Sequence, residues 1–206
     1  MINPIRNLYI WVLSLADSKN GERSLSVISF AEAIFFPIPP DILLIPLCLG
    51  NRNKAFKFFT ICSILSILGG IVGYFIGMKI WWNEINEFSE IAKWFFEYIP
   101  GFNEAIFYSI KSKYELYDFW IIFTAGFTPI PFKIFTISAG SFNVPFIMFV
   151  FASALSRSLR FFIITALIYK FGNPVKELID KYFNLLSVIF TVMLIGGFIL
   201  IKSFAQ

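Results

Sequence analysis

The amino-acid sequence predicts an all-α integral membrane protein built as an inverted repeat of two re-entrant helical hairpins. Each hairpin is followed by a predicted transmembrane helix, and a C-terminal transmembrane helix and interfacial amphipathic helices complete the fold. Of the 206 residues, 58% are hydrophobic and only 15% are charged, which is too little charge for a soluble domain. Two apolar stretches are interrupted by prolines, and each precedes a long apolar run.

The first interrupted stretch covers residues 28–50 and reads ISFAEAIFFPIPPDILLIPLCLG. Its length suits a spanning helix of about 20 residues, yet Pro37, Pro39, Pro40 and Pro46 interrupt it. Proline lacks the backbone donor and clashes with the preceding helical turn. Irregular backbone inside a bilayer persists only where protein or a water-filled cavity borders it. We therefore expect a re-entrant hairpin, a helix–turn–helix that enters and leaves on the same face.

The same pattern recurs later in the chain. The motif FxPIP occurs twice, 92 positions apart, so that the shift places Phe35, Pro37, Ile38 and Pro39 on Phe127, Pro129, Ile130 and Pro131. Long apolar runs follow at 56–80 and 146–169. Two matched broken segments of this kind indicate the internal repeat of a transporter and its binding site. The alternative is chance, because the motif is short and both stretches are rich in Phe and Ile.

The chain is predicted to form one membrane domain, 1–206. Its parts are the first repeat (25–82), an amphipathic linker (83–117), the second repeat (118–172) and a C-terminal transmembrane helix (183–202). A short interfacial helix is expected at 4–17. In the linker, apolar residues from Ile85 to Ile99 recur at spacings of three and four, which predicts an amphipathic helix on the membrane or on the protein. Asn103 can cap a second helix.

A stripe of glycines runs along the first long helix, which is predicted at 58–82. Gly69, Gly73 and Gly77 recur every four residues, and small residues at this spacing let another backbone approach closely. We expect the stripe to pack against Ala152 and Ser156 of the second long helix.

The basic residues predict the orientation of the chain. If both hairpins are re-entrant, the N-terminus and the loops 51–57 and 170–181 lie on one side, together with most of the lysines and arginines. The positive-inside rule places this side in the cytoplasm. The protein is then multi-pass, and its two hairpins enter from opposite faces, as an inverted repeat requires.

Five charges fall within the predicted membrane segments: Glu32, Asp41, Lys133, Arg157 and Arg160. Arg157 and Arg160 lie three positions apart, so they share one face near the middle of the second long helix. An arginine at a helix centre costs roughly 2.5–3.5 kcal/mol on insertion scales. Both are too far from the helix ends to reach the headgroups. They must therefore face protein, water or an anion.

Two interpretations of these charges are open. Two carboxylates against three cations leave one positive charge, and guanidinium groups bind phosphate with two parallel hydrogen bonds. Arg157 and Arg160, together with Lys133, are therefore predicted to hold a lipid phosphate between the hairpin tips. In the alternative, Glu32 and Asp41 pair with the arginines in a closed network. Asp41 could instead cap the second half-helix, Glu32 could reach water, and either carboxylate could take up a proton during transport.

Several classes of function are disfavoured. Histidine is absent, which removes His-based catalytic triads and the usual zinc sites. No DGxxAR-type acidic cluster of a phosphatidyltransferase is present, so we expect neither an enzyme nor a bound metal or cofactor. Cys48 and Cys62 lie in apolar segments and are expected to be buried. Without a basic domain outside the lipid, nucleic-acid binding is not expected.

The segment FAEAIFFPIPPD, followed by a second proline hairpin and an arginine-bearing helix, resembles the DedA family. These are the bacterial members of the VTT (SNARE-associated Golgi protein) superfamily, and the chain looks closest to the YqaA-like branch over roughly residues 25–172. Glu32, Pro37, Pro39 and Asp41 match the acidic and proline positions of that family. Many members carry F-x-x-x-R-x-x-P-x-x-R before a glycine, whereas this chain reads FTPIPFKIFTISAG, with Lys133 as its one cation there.

The resemblance implies an inner-membrane protein with two re-entrant hairpins that moves phospholipid or polyprenyl-phosphate headgroups across the bilayer. We therefore predict a lipid flippase or scramblase whose partners are lipids with anionic or phosphate headgroups. The alternative function is a proton- or sodium-coupled transporter of a small solute, which would need a closed polar cavity without a lateral opening to lipid. The sequence leaves the oligomeric state open, a homo-oligomer included.

Overall fold

The structure is a computed structural model that describes residues 11, 14–15, 20–98, 103–128, 131–172 and 174. Within this part of the chain the fold is all-helical and contains no β-strand, which confirms the predicted class at that level. Between residues 20 and 172 the α-helices are α1 (Gly21–Glu32), α2 (Asp41–Gly50), α3 (Ala55–Trp81), α4 (Glu90–Tyr98), α5 (Glu104–Phe127), α6 (Phe132–Ser141) and α7 (Phe146–Phe171). A 3₁₀ turn, Arg52–Lys54, leads into α3.

Two of the helices, α3 and α7, are long and apolar enough to cross a membrane. They occupy the predicted places and begin or end within three residues of the predicted bounds. At about 1.5 Å per residue, the 27 residues of α3 extend about 40 Å. Both helices keep large apolar side chains exposed along their length, among them Ile64, Leu68, Val72, Phe75, Phe151 and Leu155.

The first predicted break is present in the structure. The chain is non-helical between α1 and α2, where Pro37, Pro39 and Pro40 lie. The interruption predicted at Pro46 is wrong, because α2 continues through this residue to Gly50. Proline removes a single hydrogen bond there, and the helix is buried on the side of Leu43, Leu44 and Leu47.

The second predicted break lies between α5, which ends at Phe127, and α6, which begins at Phe132. Pro131 directly precedes α6, whereas Pro129 lies outside the described residues. The helix α5 is itself kinked at Tyr117, where φ is −129° and ψ is 19°. The kink falls one residue before the predicted start of the second repeat, so only the part of α5 after the kink belongs to that repeat, and α5 packs on α6.

The glycine stripe of α3 packs against α1 and α6. A Cβ added to Gly69 would lie 2.2 Å from the carbonyl oxygen of Phe30 in α1, and one added to Gly77 would lie 2.0 Å from that of Ile137 in α6. The helices α1 and α6 therefore lie end to end along α3, and the break that follows α1 and the break that precedes α6 meet near its middle.

The prediction that this stripe packs against Ala152 and Ser156 on α7 is wrong. Ser156 instead lies against Gly126 of α5, where an added Cβ would come within 2.2 Å of its hydroxyl oxygen. Close packing by glycine is confirmed, but the partner helix is different because α6 and α1 occupy the surface of α3 that the glycines form.

The helices after the two breaks pack in a reciprocal way. The helix α2 packs on α7, α6 packs on α3, and the two long helices pack on each other. Each second half-helix therefore lies against the long helix of the other half of the chain. A shift of 92 positions carries α2 and α3 onto α6 and α7 to within two residues at every end.

The helix predicted from Ile85 onward begins only at Glu90, so the first part of that prediction is wrong. The preceding residues form a turn, in which the side chain of Asn83 accepts hydrogen bonds from the backbone N–H groups of Ile85 and Glu87 at 3.1 and 2.8 Å. Asn86 adopts a left-handed conformation with φ 59°. Local side-chain bonds of this kind compete with helix formation.

The predicted cap of the next helix is confirmed, because the side chain of Asn103 accepts a hydrogen bond from the N–H group of Ile106 at 3.0 Å. The helix α7 ends at Phe171, and Gly172 follows it with φ 63°. The helix predicted at 183–202 lies outside the described residues, as does that at 4–17 apart from residues 11, 14 and 15.

Candidate functional site

Arg157 lies at the centre of a buried contact between three helices. Its Nη2 donates to Oε2 of Glu32 on α1 at 2.6 Å, and its Nε donates to the hydroxyl of Ser66 on α3 at 2.7 Å. Arg157 is 2% exposed, Glu32 5% and Ser66 not at all. The arginine therefore ties its own helix, α7, to both α1 and α3.

Two aromatic rings enclose the guanidinium group of Arg157. Its Cζ lies 4.9 Å from the ring centroid of Phe132 and 4.8 Å from that of Phe161. Contacts at this distance are favourable for a cation, more so away from water. The rings also exclude solvent from the ion pair, which strengthens its attraction but makes the loss of either partner costly.

Arg160 binds the other carboxylate of the site. Its Nε donates to Oδ1 of Asp41 at 3.3 Å, and its Nη2 contacts Oδ2 of the same residue. Its Nη1 donates to the carbonyl oxygens of Phe127 and Thr128, at the end of α5. Arg160 thus holds the start of α2 and the end of α5 together, and all three of its nitrogen atoms are engaged.

Asp41 is the first residue of α2, and its side chain caps no backbone N–H group. The interpretation of Asp41 as a helix cap is therefore wrong, because its carboxylate pairs with Arg160 instead. Its position in the first helical turn remains favourable to a negative charge. The suggestion that Glu32 reaches water is also wrong, since that residue is buried.

Lys133 connects the two breaks. Its Nζ donates to the carbonyl oxygens of Phe35 and Phe36, at 3.3 and 3.1 Å, just before the first proline turn. One helical turn further, the Thr136 hydroxyl donates to the carbonyl of Ala33 at 3.0 Å. Among the described residues Lys133 forms no ion pair, so the net positive charge of the site resides on it.

The structure brings all five predicted charges to the region where the breaks meet, in the closed arrangement. Glu32 pairs with Arg157 and Asp41 with Arg160, while Lys133 is bound by carbonyl groups. Binding of a phosphate by the arginines remains a prediction, and it requires at least one of these pairs to open.

The site lies near mid-height of both long helices. Ser66 is eleven residues into α3, and Arg157 is eleven residues into α7. At 1.5 Å per residue, each is about 16 Å from the start of its helix. Four of the predicted prolines flank this region: Pro37, Pro39, Pro40 and Pro131. They shape the backbone, and none of these four forms a hydrogen bond with the five charged side chains.

Sequence reasoning missed three residues of the site. Ser66 carried a signal, because it is a hydroxyl in the middle of an apolar run, where a partner is expected. Phe161 carried a signal as well, because it follows Arg157 by four residues on the same helix, where side chains are neighbours. Phe132 carried none, since the chain contains 28 phenylalanines and nothing local marks this one.

These features define the class of the protein: an all-helical protein in which a buried cluster of ion pairs joins two broken helix pairs to two long apolar helices. The chain is 33% identical over 181 residues to an uncharacterized protein of Haemophilus influenzae, covering 87% of this chain and 88% of that protein. It is 30% identical over 165 residues to an uncharacterized protein of Histophilus somni, covering 78% of each. The chain belongs to the family of these two proteins. No protein-family model matches it, and no solved structure matches it.

Proposed function

We propose that this chain is a multi-pass protein of the inner membrane, a flippase or scramblase that moves a phospholipid or polyprenyl-phosphate headgroup across the bilayer. The observation that carries the proposal is the buried cluster of Arg157, Arg160 and Lys133 with its two carboxylates, at mid-height of two helices of spanning length. Ionisable groups at bilayer depth are costly, and they mark substrate and ion pathways.

The exposed surface of the long helices supports the membrane placement. Soluble monomers rarely expose large contiguous apolar patches, yet α3 and α7 expose aliphatic and aromatic side chains over several turns. A lipid environment would bury this surface without any further protein partner.

The packing supports the inverted repeat. The helices α1 and α6 lie along α3 from opposite ends toward its middle, and each second half-helix lies on the long helix of the other half. In a bilayer this arrangement corresponds to two re-entrant hairpins that enter from opposite faces and meet at the midplane, where such transporters bind their substrates. The basic loops then place the N-terminus in the cytoplasm.

Transport in this scheme begins with the opening of an ion pair. A headgroup phosphate competes with Glu32 and Asp41 for the guanidinium groups, and protonation of either carboxylate would release its arginine. The helices α2 and α5 pack on α7, whereas α1 and α6 pack on α3. The pair between Arg157 and Glu32 joins these two groups, because Arg157 lies on α7 and Glu32 lies on α1. Its opening would remove one of the contacts between these two groups, which are also joined by the bond of Arg157 to Ser66 and by the packing of α3 on α7.

The proposal is tested with purified protein in liposomes that contain a fluorescent phospholipid whose inner-leaflet copies are protected from a membrane-impermeant quencher. Arg157→Gln is expected to lose most of the lipid translocation, while Lys170→Gln, an exposed charge on the same helix, retains it. Insertion of both variants is checked by extraction and protease protection. Unchanged translocation by Arg157→Gln would remove the proposal.

One observation favours the alternative, a proton- or sodium-coupled carrier of a small solute. The ion pair of Arg157 and Glu32 is enclosed by Phe132 and Phe161, which shields it from the surrounding lipid. A carrier would translocate no lipid under any gradient. It would instead produce a charge movement on a supported membrane after a jump in pH or sodium, and this movement would be lost in Glu32→Gln.

A further inference from the structure

The short helix α4 carries two separate apolar faces. The first contains Ala92, which is fully buried, and Phe95 and Phe96, whose rings lie 5.5 and 6.2 Å from that of Trp81. This face fixes α4 to the protein at the end of α3.

The second face points away from the protein. Ile91, Trp94 and Tyr98 follow one another at spacings of three and four, and they are 51%, 52% and 61% exposed. The rings of Trp94 and Tyr98 stack at 5.3 Å. Beside this stripe runs a charged one, formed by Glu90, Lys93 and Glu97. An exposed Ile–Trp–Tyr stripe next to a charged stripe is typical of a helix that lies in a membrane interface.

The attachment to Trp81 sets the depth of α4. Leu68 lies midway along α3, and Trp81, its last residue, is thirteen positions further. At 1.5 Å per residue this is about 20 Å from the middle of the helix, whereas the hydrocarbon core ends about 15 Å from the bilayer centre. If α3 spans the bilayer as proposed above, α4 is held at the depth of the headgroups.

The kink of α5 gives an independent estimate of the same boundary. Phe127, whose carbonyl accepts from Arg160 at the centre, is ten positions beyond Tyr117, or about 15 Å along the helix. At that level Leu116, Tyr117 and Trp120 are 74%, 61% and 64% exposed. Large apolar and aromatic side chains thus become exposed again where the hydrocarbon boundary is expected.

The charge of this region selects the kind of lipid. Residues 83–98 contain four glutamates and one lysine, a net charge of −3. An anionic surface would repel this segment. We propose that the face formed by Ile91, Trp94 and Tyr98 rests in a zwitterionic headgroup layer, in the leaflet away from the cytoplasm. The inference rests on the membrane placement in the proposed function but not on lipid transport.

The test places a nitroxide spin label at single positions of the full-length protein in phosphatidylcholine vesicles. Trp94→Cys reports the apolar stripe, Lys93→Cys the charged stripe one residue away, and Leu68→Cys the middle of α3. The native Cys48 and Cys62 are buried, and the unsubstituted protein is labelled in parallel for background. Relaxation by dissolved oxygen measures contact with lipid, and relaxation by a water-soluble nickel chelate measures contact with water.

We expect the ratio of oxygen relaxation to nickel relaxation to be at least threefold higher for the label at position 94 than for the label at position 93. At position 93, relaxation by nickel should exceed relaxation by oxygen. Equal nickel access at both positions would overturn the inference. Low access to both reagents at 94, with dipolar broadening between labels, would show that a second copy covers this face instead.

Replacing half of the lipid by phosphatidylglycerol should lower the oxygen contact at 94, and an unchanged value would overturn the preference for zwitterionic lipid. Nickel access at position 68 would contradict the membrane placement itself.

Discussion

The guanidinium group of Arg157 lies 2.6 Å from the carboxylate of Glu32, although 125 positions separate the two residues in the chain. Both side chains are buried, and aromatic rings cover the cation. In such a setting the desolvation cost of each charge is offset chiefly by its partner, so the two residues are energetically coupled.

This coupling predicts the outcome of a double-mutant cycle. Glu32→Gln and Arg157→Met should each destabilise the protein by about 3–5 kcal/mol, because each leaves one uncompensated buried charge. The double variant should be more stable than either single one. Thermal unfolding in detergent, followed by tryptophan fluorescence, measures the effect. Additive losses would show that the two charges do not depend on each other.

Lys133 should determine how tightly the first proline turn is held. Lys133→Met removes the donor to the carbonyl groups of Phe35 and Phe36, and hydrogen bonds to charged groups are worth about 1.5–3 kcal/mol. Hydrogen–deuterium exchange of residues 33–40 should become faster by tenfold or more. Lys79→Met, an exposed lysine of α3, is the control and should leave this exchange unchanged. Equal exchange in both variants would argue against the connection.

The glycines of α3 should be sensitive to a single added methyl group. In Gly77→Ala the new Cβ would lie 2.0 Å from the carbonyl oxygen of Ile137, so the backbones of α3 and α6 must separate. A loss of about 1–3 kcal/mol is expected for this overpacking. Gly50→Ala, which meets nothing within 4 Å, should be neutral or slightly stabilising. The comparison of their unfolding temperatures is the measurement, and equal temperatures would contradict the packing.

A surface ion pair should behave differently from the buried ones. Glu22, which precedes the predicted first repeat, bonds to Lys57, and this hydrogen bond lowers the pKa of Glu22. Since both groups are partly exposed, Lys57→Met should cost less than about 1 kcal/mol. A lowered folded-state pKa stabilises the protein above the unfolded pKa, near 4.5, and the benefit disappears as pH falls through the folded value. The stability difference between the two proteins should therefore vanish at acid pH, and a pH-independent difference would contradict the assignment.

The parts of the fold that the sequence predicted are those encoded locally. The proline turn at 37–40, the two long apolar helices and the cap at Asn103 depend on backbone chemistry within a few residues. Two of the errors have local causes as well. Asn83 draws the chain into a turn before Glu90, and Pro46 costs α2 a single bond without ending it. The candidate site was predicted as a set of five charges, because charge in an apolar segment requires an explanation wherever it occurs.

Composition and periodicity alone thus determined an all-helical chain, its breaks, and the residues that must find polar partners. The tertiary structure decided which partners these are. Two carboxylates and three cations can pair in several ways, and the hydroxyl of Ser66 and the ring of Phe132 come from segments far from Arg157 in sequence. Such contacts depend on how α3, α6 and α7 pack. The backbones of α3 and α6 approach closely at glycines of both helices, Gly77 and Gly140 among them, and no local pattern specifies which helices meet.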